Sequence, residues 1–507
     1  MDVEKTTDNA DGGAPQSKGS TAVGKPKKKV FGVVGLAIFT FAFLANVNTT
    51  PQLATFGLGA LFLFVLAIVL FLGPTALASA EMGSTWPRTG GIYVWTRLAF
   101  GEGVAFMIIW LEFANFVVAW PGIMGTLTLQ ASYPVDPSLN NNPLFVISVV
   151  VLVTWAAAGI ALRGLKVAKG FAWYSVVAGT VIPAIVLVGF AIAWLVQGNP
   201  SAMEISTSSL IPDISMTNIA FVSGALLMFS GIEISAIHAG DVENPGRTIP
   251  RSNLIAVVMC FLFFAPLTIA LAIMIPASDM NIVAGLVEAG EKVFDKFDVG
   301  WMTAILTVLL VTGLIASLIQ IIGGPSRGLL VAGRVGGNLP RFLQKENAQK
   351  MPVTIIICQA AASSVLALGY GVLGSVQNAW FIFAIIQTNM TLVLYGIMFV
   401  SVVKLRYSKS ATVRPYRIPG KLFGVWVVAS VGLLVCLAGI AVSLFPTEEA
   451  GSMSTTVYVS VVVLGTLVFL AMPFVFWIFK KPSWKTEDEG DPASTEGDPE
   501  ALTTTTG

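Results

Sequence analysis

The sequence predicts an all-α polytopic membrane protein. Three observations carry that reading. Hydrophobic residues make up 55% of the chain and charged ones 11%, mean hydropathy is +0.81, and apolar runs long enough to cross a bilayer recur along nearly the whole length. A soluble domain carries about twice that charged share. A β-barrel would show short alternating segments instead.

The runs number twelve, at approximately 30–50, 53–80, 100–131, 143–162, 167–197, 217–240, 252–276, 299–325, 353–374, 377–403, 421–445 and 455–479. Lys and Arg gather in alternate connections, leaving only Lys292 and Lys296 on the opposite side. Positive loops face the cytoplasm, so both termini are expected there, with the protein integral to the plasma membrane. Residues 1–29 are rich in Gly, Ser, Thr and Asp before a basic run at Lys25–Lys29, and are expected to form a disordered tail. They lack the opening of a cleavable signal peptide. A transmembrane domain is expected over 30–480 and a disordered acidic tail over 481–507.

Several function classes drop out. A net charge of +1 supplies no basic field for nucleic acid. Cys260, Cys358 and Cys436 all fall in apolar runs and His238 is the single histidine, so neither a disulfide framework nor a metal or other cofactor is expected. No nucleophile–base pair is visible, which argues against an enzyme. The glycine-rich stretch after span eight, read as a loop, lacks the spacing and Lys of a phosphate-binding loop.

Two acids, Glu112 in span three and Glu233 in span six, lie well inside apolar runs. Such a group costs about 2.5–3.5 kcal/mol even on an insertion scale, so each marks either a transport role, favoured for Glu233, or a protonated carboxyl hydrogen-bonded to a neighbouring helix as packing glue. Two stretches are also poor continuous helices. "FLANVNTTPQ" (Phe43–Gln52) places Asn, Thr and Pro in span one. "MFSGIEIS" (Met228–Ser235) places Ser–Gly before Glu233 in span six. Spans one and six are five apart, the spacing of two inverted five-helix repeats that each open on a broken helix. Half-helix ends there offer N–H groups to a carboxylate and carbonyls to an ammonium, so an amino acid is held without Lys or Arg. His238 is rotated about 140° from Glu233 on an ideal helix, so the pair forms no simple relay. Near Asp241, the histidine is expected to cap or to make an inner-gate contact, with pH sensing as its alternative role. "ENPGR" (Glu243–Arg247) reads as a turn.

The chain resembles the amino acid–polyamine–organocation (APC) transporters, particularly the glutamate/γ-aminobutyrate antiporter branch. The resemblance rests on "GIEISAIHAGDVENPGRTIPR" (Gly231–Arg251), "ASAEMGSTWPRTGGIYVWT" (Ala78–Thr96), "GGPSRGLLVAGRVGGNLPRFLQKEN" (Gly323–Asn347), "MPVT" (Met351–Thr354) and "YRIPG" (Tyr416–Gly420). It extends from about Val30 to Lys480. It implies ten core helices in inverted (LeuT-like) repeats, two peripheral helices, and alternating access. An amino acid or amine would be exchanged, or taken up with protons, across the bilayer. The substrate backbone would meet Ala45, Asn46, Val47, Asn48 and Thr49 in span one and Ser230, Gly231, Ile232 and Glu233 in span six. Glu112, Asn115, Ser317, Gln320 and Gln387 are the candidate selectivity groups, and Glu233 and His238 the candidate gating or proton-sensing ones.

Departures from the branch bear on substrate. Glutamate-exporting members carry an aromatic and an acidic residue where this chain has Asn48 and Thr49. In span eight they carry an acidic and an aromatic residue at the positions of Ser317 and Ile321. The acidic, histidine-free C-terminus also differs from theirs. Exchange of amino acids or related amines is the main expectation, and proton symport is the alternative. A non-transporting membrane sensor or an ion channel is the different-class alternative, although rings of like charge or repeated carbonyl filters are not visible.

Overall fold

A computed structural model describes residues 32–44, 47–88, 90–136, 138–139, 142–212, 228, 230–237, 239, 242–373, 376–446 and 453–485, without the side chains of 165–169, 172, 237, 320, 376 and 377. The apolar runs become helices because a bilayer leaves no water to satisfy backbone groups, so each segment must close its own hydrogen bonds. Among the described residues, ten helices are long and apolar enough to cross a membrane, and one bent pair adds an eleventh candidate span. The expected sixth span, 217–240, lies mostly outside the described residues, as do 1–31 and 486–507.

The bent pair comes first. Helix α1 (Val33–Leu44) is followed by a 3-10 turn, Val47–Thr49, and α2 (Thr50–Ala54), with a 46° bend between the two halves. Next come α3 (Gly59–Thr85), α4 (Ile92–Phe100), α5 (Glu102–Ser132), α6 (Pro143–Ala161) and α7 (Trp173–Val196). The short α8 (Ile234–Ile237) precedes α9 (Pro245–Met274), α10 (Gly285–Lys296) and α11 (Met302–Gly336). Helices α12 (Val353–Val372), α13 (Val376–Ser408), α14 (Lys421–Val442) and α15 (Thr455–Ile478) complete the bundle. Helix α5 is central, packed against α11 and α13, while α1 and α3 pack on α9. The last two helices are the least buried of the ten. Val65, Leu152, Ile185, Leu262 and Leu464 are exposed around the bundle, as expected of side chains facing lipid.

Two of the prolines inside these helices, Pro121 and Pro473, are compensated by neighbours. Pro121 removes the donor to the Val117 carbonyl, and Ser363 Oγ of α12 donates to that carbonyl at 3.2 Å. Pro473 likewise frees the Phe469 carbonyl, which accepts from Trp110 Nε1 at 3.0 Å. Helices α7 and α11 cross at a glycine pair, where a Cβ on Gly179 would come 2.5 Å from the Gly313 Cα. Only bare backbones approach that closely.

Three local expectations change. The glycine-rich stretch expected as a loop after span eight continues α11 to Gly336. Ser326, Leu329, Leu330 and Ala332 are buried there, so a helical apolar stripe outweighs the glycines and Pro325. "ENPGR" is not an isolated turn, because Asn244 (φ +46°) is the residue before α9 and Pro245 opens the helix, a position where the missing N–H costs nothing. The segment bearing Lys292 and Lys296 is not a plain loop. Helix α10 buries Leu286, Val287, Val293 and Phe294, and Gly285 lies against Pro51 near the end of the bent first span. At the C-terminal side, Pro482–Trp484 forms a 3-10 turn whose Trp484 carbonyl accepts from Gln344 Nε2 at 2.8 Å.

Candidate functional site

The two stretches expected to break meet at one cavity of about 370 Å³, a volume within the usual range of small-molecule sites, about 300–1,000 Å³. Asn48 and Thr49 reach it from the bend in the first span, and Ser230, Gly231 and Glu233 from the second stretch. Glu112 and Asn115 of α5, Ser317 of α11 and Gln387 of α13 also line it. Val47 and Ile232 do not, being packed into the core at 1% and 0% exposure. Ala45, Asn46 and His238 lie outside the described residues, as does the side chain of Gln320.

Ser230–Glu233 is a turn, and Gly231 has φ +112°. Only glycine adopts that conformation without strain, and a Cβ there would stand 2.9 Å from the Phe43 ring. One hydroxyl holds the turn. Tyr395 Oη of α13 accepts from the Gly231 N–H at 2.6 Å and donates to Glu233 Oε2 at 2.6 Å. The Tyr395 ring is fixed edge-on against Phe71, with centroids 5.1 Å apart. Glu233 is thereby tied to the backbone of its own break through a third helix.

The first break has its own support. Gln130 Nε2, from the far end of α5, donates to Asn48 Oδ1 at 2.8 Å, and Gln130 is fully buried. Asn115 Nδ2 donates to the Gln387 carbonyl at 3.3 Å and to Thr391 Oγ1, so Gln387 takes part through its main chain. Ser317 Oγ donates to the Leu314 carbonyl at 2.7 Å, so its hydroxyl proton is committed and its oxygen remains available only as an acceptor.

The only charged side chains lining the cavity, among the described residues, are Glu112 and Glu233. Phe43, Phe116, Trp380 and Phe381 supply much of the apolar wall, and Trp380 Nε1 is anchored to Thr126 Oγ1 at 3.0 Å. The arrangement suits a small molecule that carries an ammonium group.

Tyr395, Gln130 and Thr391 were not among the residues singled out from the sequence. Tyr395 sits in "TLVLYGIMF", where a tyrosine reads as one more large apolar residue. Gln130 carries a local signal, being an amide at the end of an apolar run.

The amino acid permease family profile matches residues 28–469. An uncharacterized transporter of Legionella pneumophila is 30% identical over 454 residues, covering 90% of this chain and 97% of that protein. A glutamate/gamma-aminobutyrate antiporter of Lactococcus lactis is 28% identical over 462 residues, covering 89% and 90%. A probable agmatine/putrescine antiporter of the same species is 21% identical over 462 residues, covering 89% and 94%. With a helical bundle that can cross a membrane and a profile match over most of its length, the chain belongs to the amino acid permease family of membrane transporters.

Proposed function

We propose that the cavity is the substrate site of a secondary transporter that exchanges amino acids or related amines by alternating access. The observation that carries this reading is the convergence of two interrupted segments, Asn48–Thr49 and Ser230–Glu233, on a cavity whose described charges are both acidic. An ammonium is complementary to Glu112 and Glu233, and backbone groups at the breaks suit a carboxylate. Relatives named as antiporters support exchange. In the same reading the chain has twelve spans, ten of them in two inverted repeats, and both termini lie on the cytoplasmic side of a plasma membrane.

Proton symport is a second reading, favoured by two carboxylates in one cavity with no basic side chain beside them among the described residues. Proteoliposomes loaded with one unlabelled amino acid or amine at a time separate the two. Labelled uptake that needs internal substrate supports exchange, and uptake that follows an imposed pH gradient supports symport. Normal transport by Glu233→Ala would refute the assignment of the site.

A further inference from the structure

A second cavity, of about 440 Å³, lies between the end of α13 and the start of α14. Arg406, Arg417 and Lys421 line it, with Ile418, Gly420 and Leu422. Its scaffold is a buried ion-pair cluster. Glu81 Oε2 accepts from Arg406 Nη2 at 2.9 Å and from the Ile418 N–H at 2.8 Å. Glu81 Oε1 lies 3.2 Å from Arg414 Nε. Arg414 also donates to the Leu405 and Lys409 carbonyls at 3.0 and 3.1 Å. The loop that carries Arg417 is therefore held in place from both sides.

This cluster has more positive charge than it uses. Glu81 is occupied by Arg406 and Arg414, while Arg417 and Lys421 add two further cations at the cavity wall. Among the described residues, Arg417 and Lys421 pair with no carboxylate. Arg406 Nε is buried without an acceptor, a costly omission for a guanidinium N–H. Lys421 is held at φ +57° next to Gly420 at φ +85°. Guanidinium groups match phosphate oxygens in geometry, and lysine adds a point charge.

The rim says where such an anion comes from. Leu422, Phe423 and Trp426 are exposed on α14, and Trp426 Nε1 donates to the hydroxyl of exposed Tyr407 at 3.0 Å. Indole and phenol groups at a helix end beside cationic side chains suit the membrane interface. We propose that this cavity binds the phosphate of an anionic ligand through Arg406, Arg417 and Lys421, with the headgroup of an anionic membrane lipid as its source.

The test uses the purified full-length protein in detergent. Short-chain phosphatidylglycerol, phosphatidylcholine and inorganic phosphate are titrated separately, at matched ionic strength, against the thermal midpoint. Phosphatidylglycerol should raise the midpoint beyond phosphatidylcholine. The R417Q/K421Q variant should bind it about thirtyfold more weakly, the sum of two interfacial charges, while its response to phosphatidylcholine stays unchanged. R417K/K421R keeps both charges and should retain most of the affinity, which separates lost binding from lost folding. A phosphate effect present in the wild type and absent from R417Q/K421Q supports the anion site and assigns it to a soluble ligand. Equal phosphatidylglycerol responses in wild type and R417Q/K421Q, or no wild-type response to either anion, would overturn the proposal.

Discussion

Replacing Tyr395 by Phe removes one oxygen and tests the most specific feature of the site. That hydroxyl is the partner of the Gly231 N–H and a donor to Glu233, and its ring is fully packed, so the variant keeps its shape. The deletion leaves a buried N–H unpaired, which costs about 1–3 kcal/mol. If the ordered break is the binding-competent state, the same energy lowers its relative population by about 5–150-fold. The half-saturation concentration for counterflow in proteoliposomes should therefore rise, by at most that factor, while detergent-solubilised protein remains monodisperse. Y395F/E233Q gives a second reading. The two side chains share one hydrogen bond, so their effects should combine to less than the sum. Half-saturation within twofold of wild type in Y395F, or strictly additive effects in the double variant, would refute the claim that Tyr395 orders the break.

Gly231→Ala puts a side chain at φ +112° and against Phe43. It should abolish transport in protein that still elutes as a folded species, and wild-type uptake would count against a required turn. Glu81→Gln leaves the Arg406 and Arg414 guanidinium groups, 12% and 3% exposed, without their counter-charge. Its thermal midpoint should fall far more than that of Glu102→Gln, since breaking a buried pair costs about 3–5 kcal/mol. The Arg97–Glu102 pair is 30% and 26% exposed and contributes about 1 kcal/mol or less. Glu112→Gln removes one cavity carboxylate at constant volume. It should raise half-saturation for an amine substrate about tenfold, the value of a charge-assisted hydrogen bond, and an unchanged constant would place the ammonium elsewhere.

The site was legible where its chemistry conflicts with the membrane. Asn48, Thr49, Glu112, Asn115, Ser230 and Glu233 stand out in apolar runs because polar groups are costly there, and all six line the cavity. Val47 and Ile232 neighbour those positions in sequence, yet side chains at successive positions point in different directions and theirs face the core. Tyr395 was missed because its role depends on a contact with Gly231 across 164 positions, which periodicity cannot register. The same blindness hid the helical continuation of α11. Local glycine content argued for a loop, while Leu329 and Leu330 find their partners only after the helices assemble. Helix α10 carries a local signal, with Leu286, Val287, Ala289, Gly290 and Val293 on one face, although its charged residues resemble those of a solvated connection.

The Gly179–Gly313 crossing limits how such a protein can evolve. Both residues border the cavity, and each presents bare backbone to the other. A first mutation at either position meets an opposing main chain rather than a side chain able to swing aside, and the opposing residue has nothing smaller to become. Single-step drift is therefore closed at this pair, and a larger residue requires both helices to shift together. Substrate preference is free to diverge at the surrounding side chains, such as Phe116, Ser317 and Trp380, while the spacing of the two helices is inherited as a block.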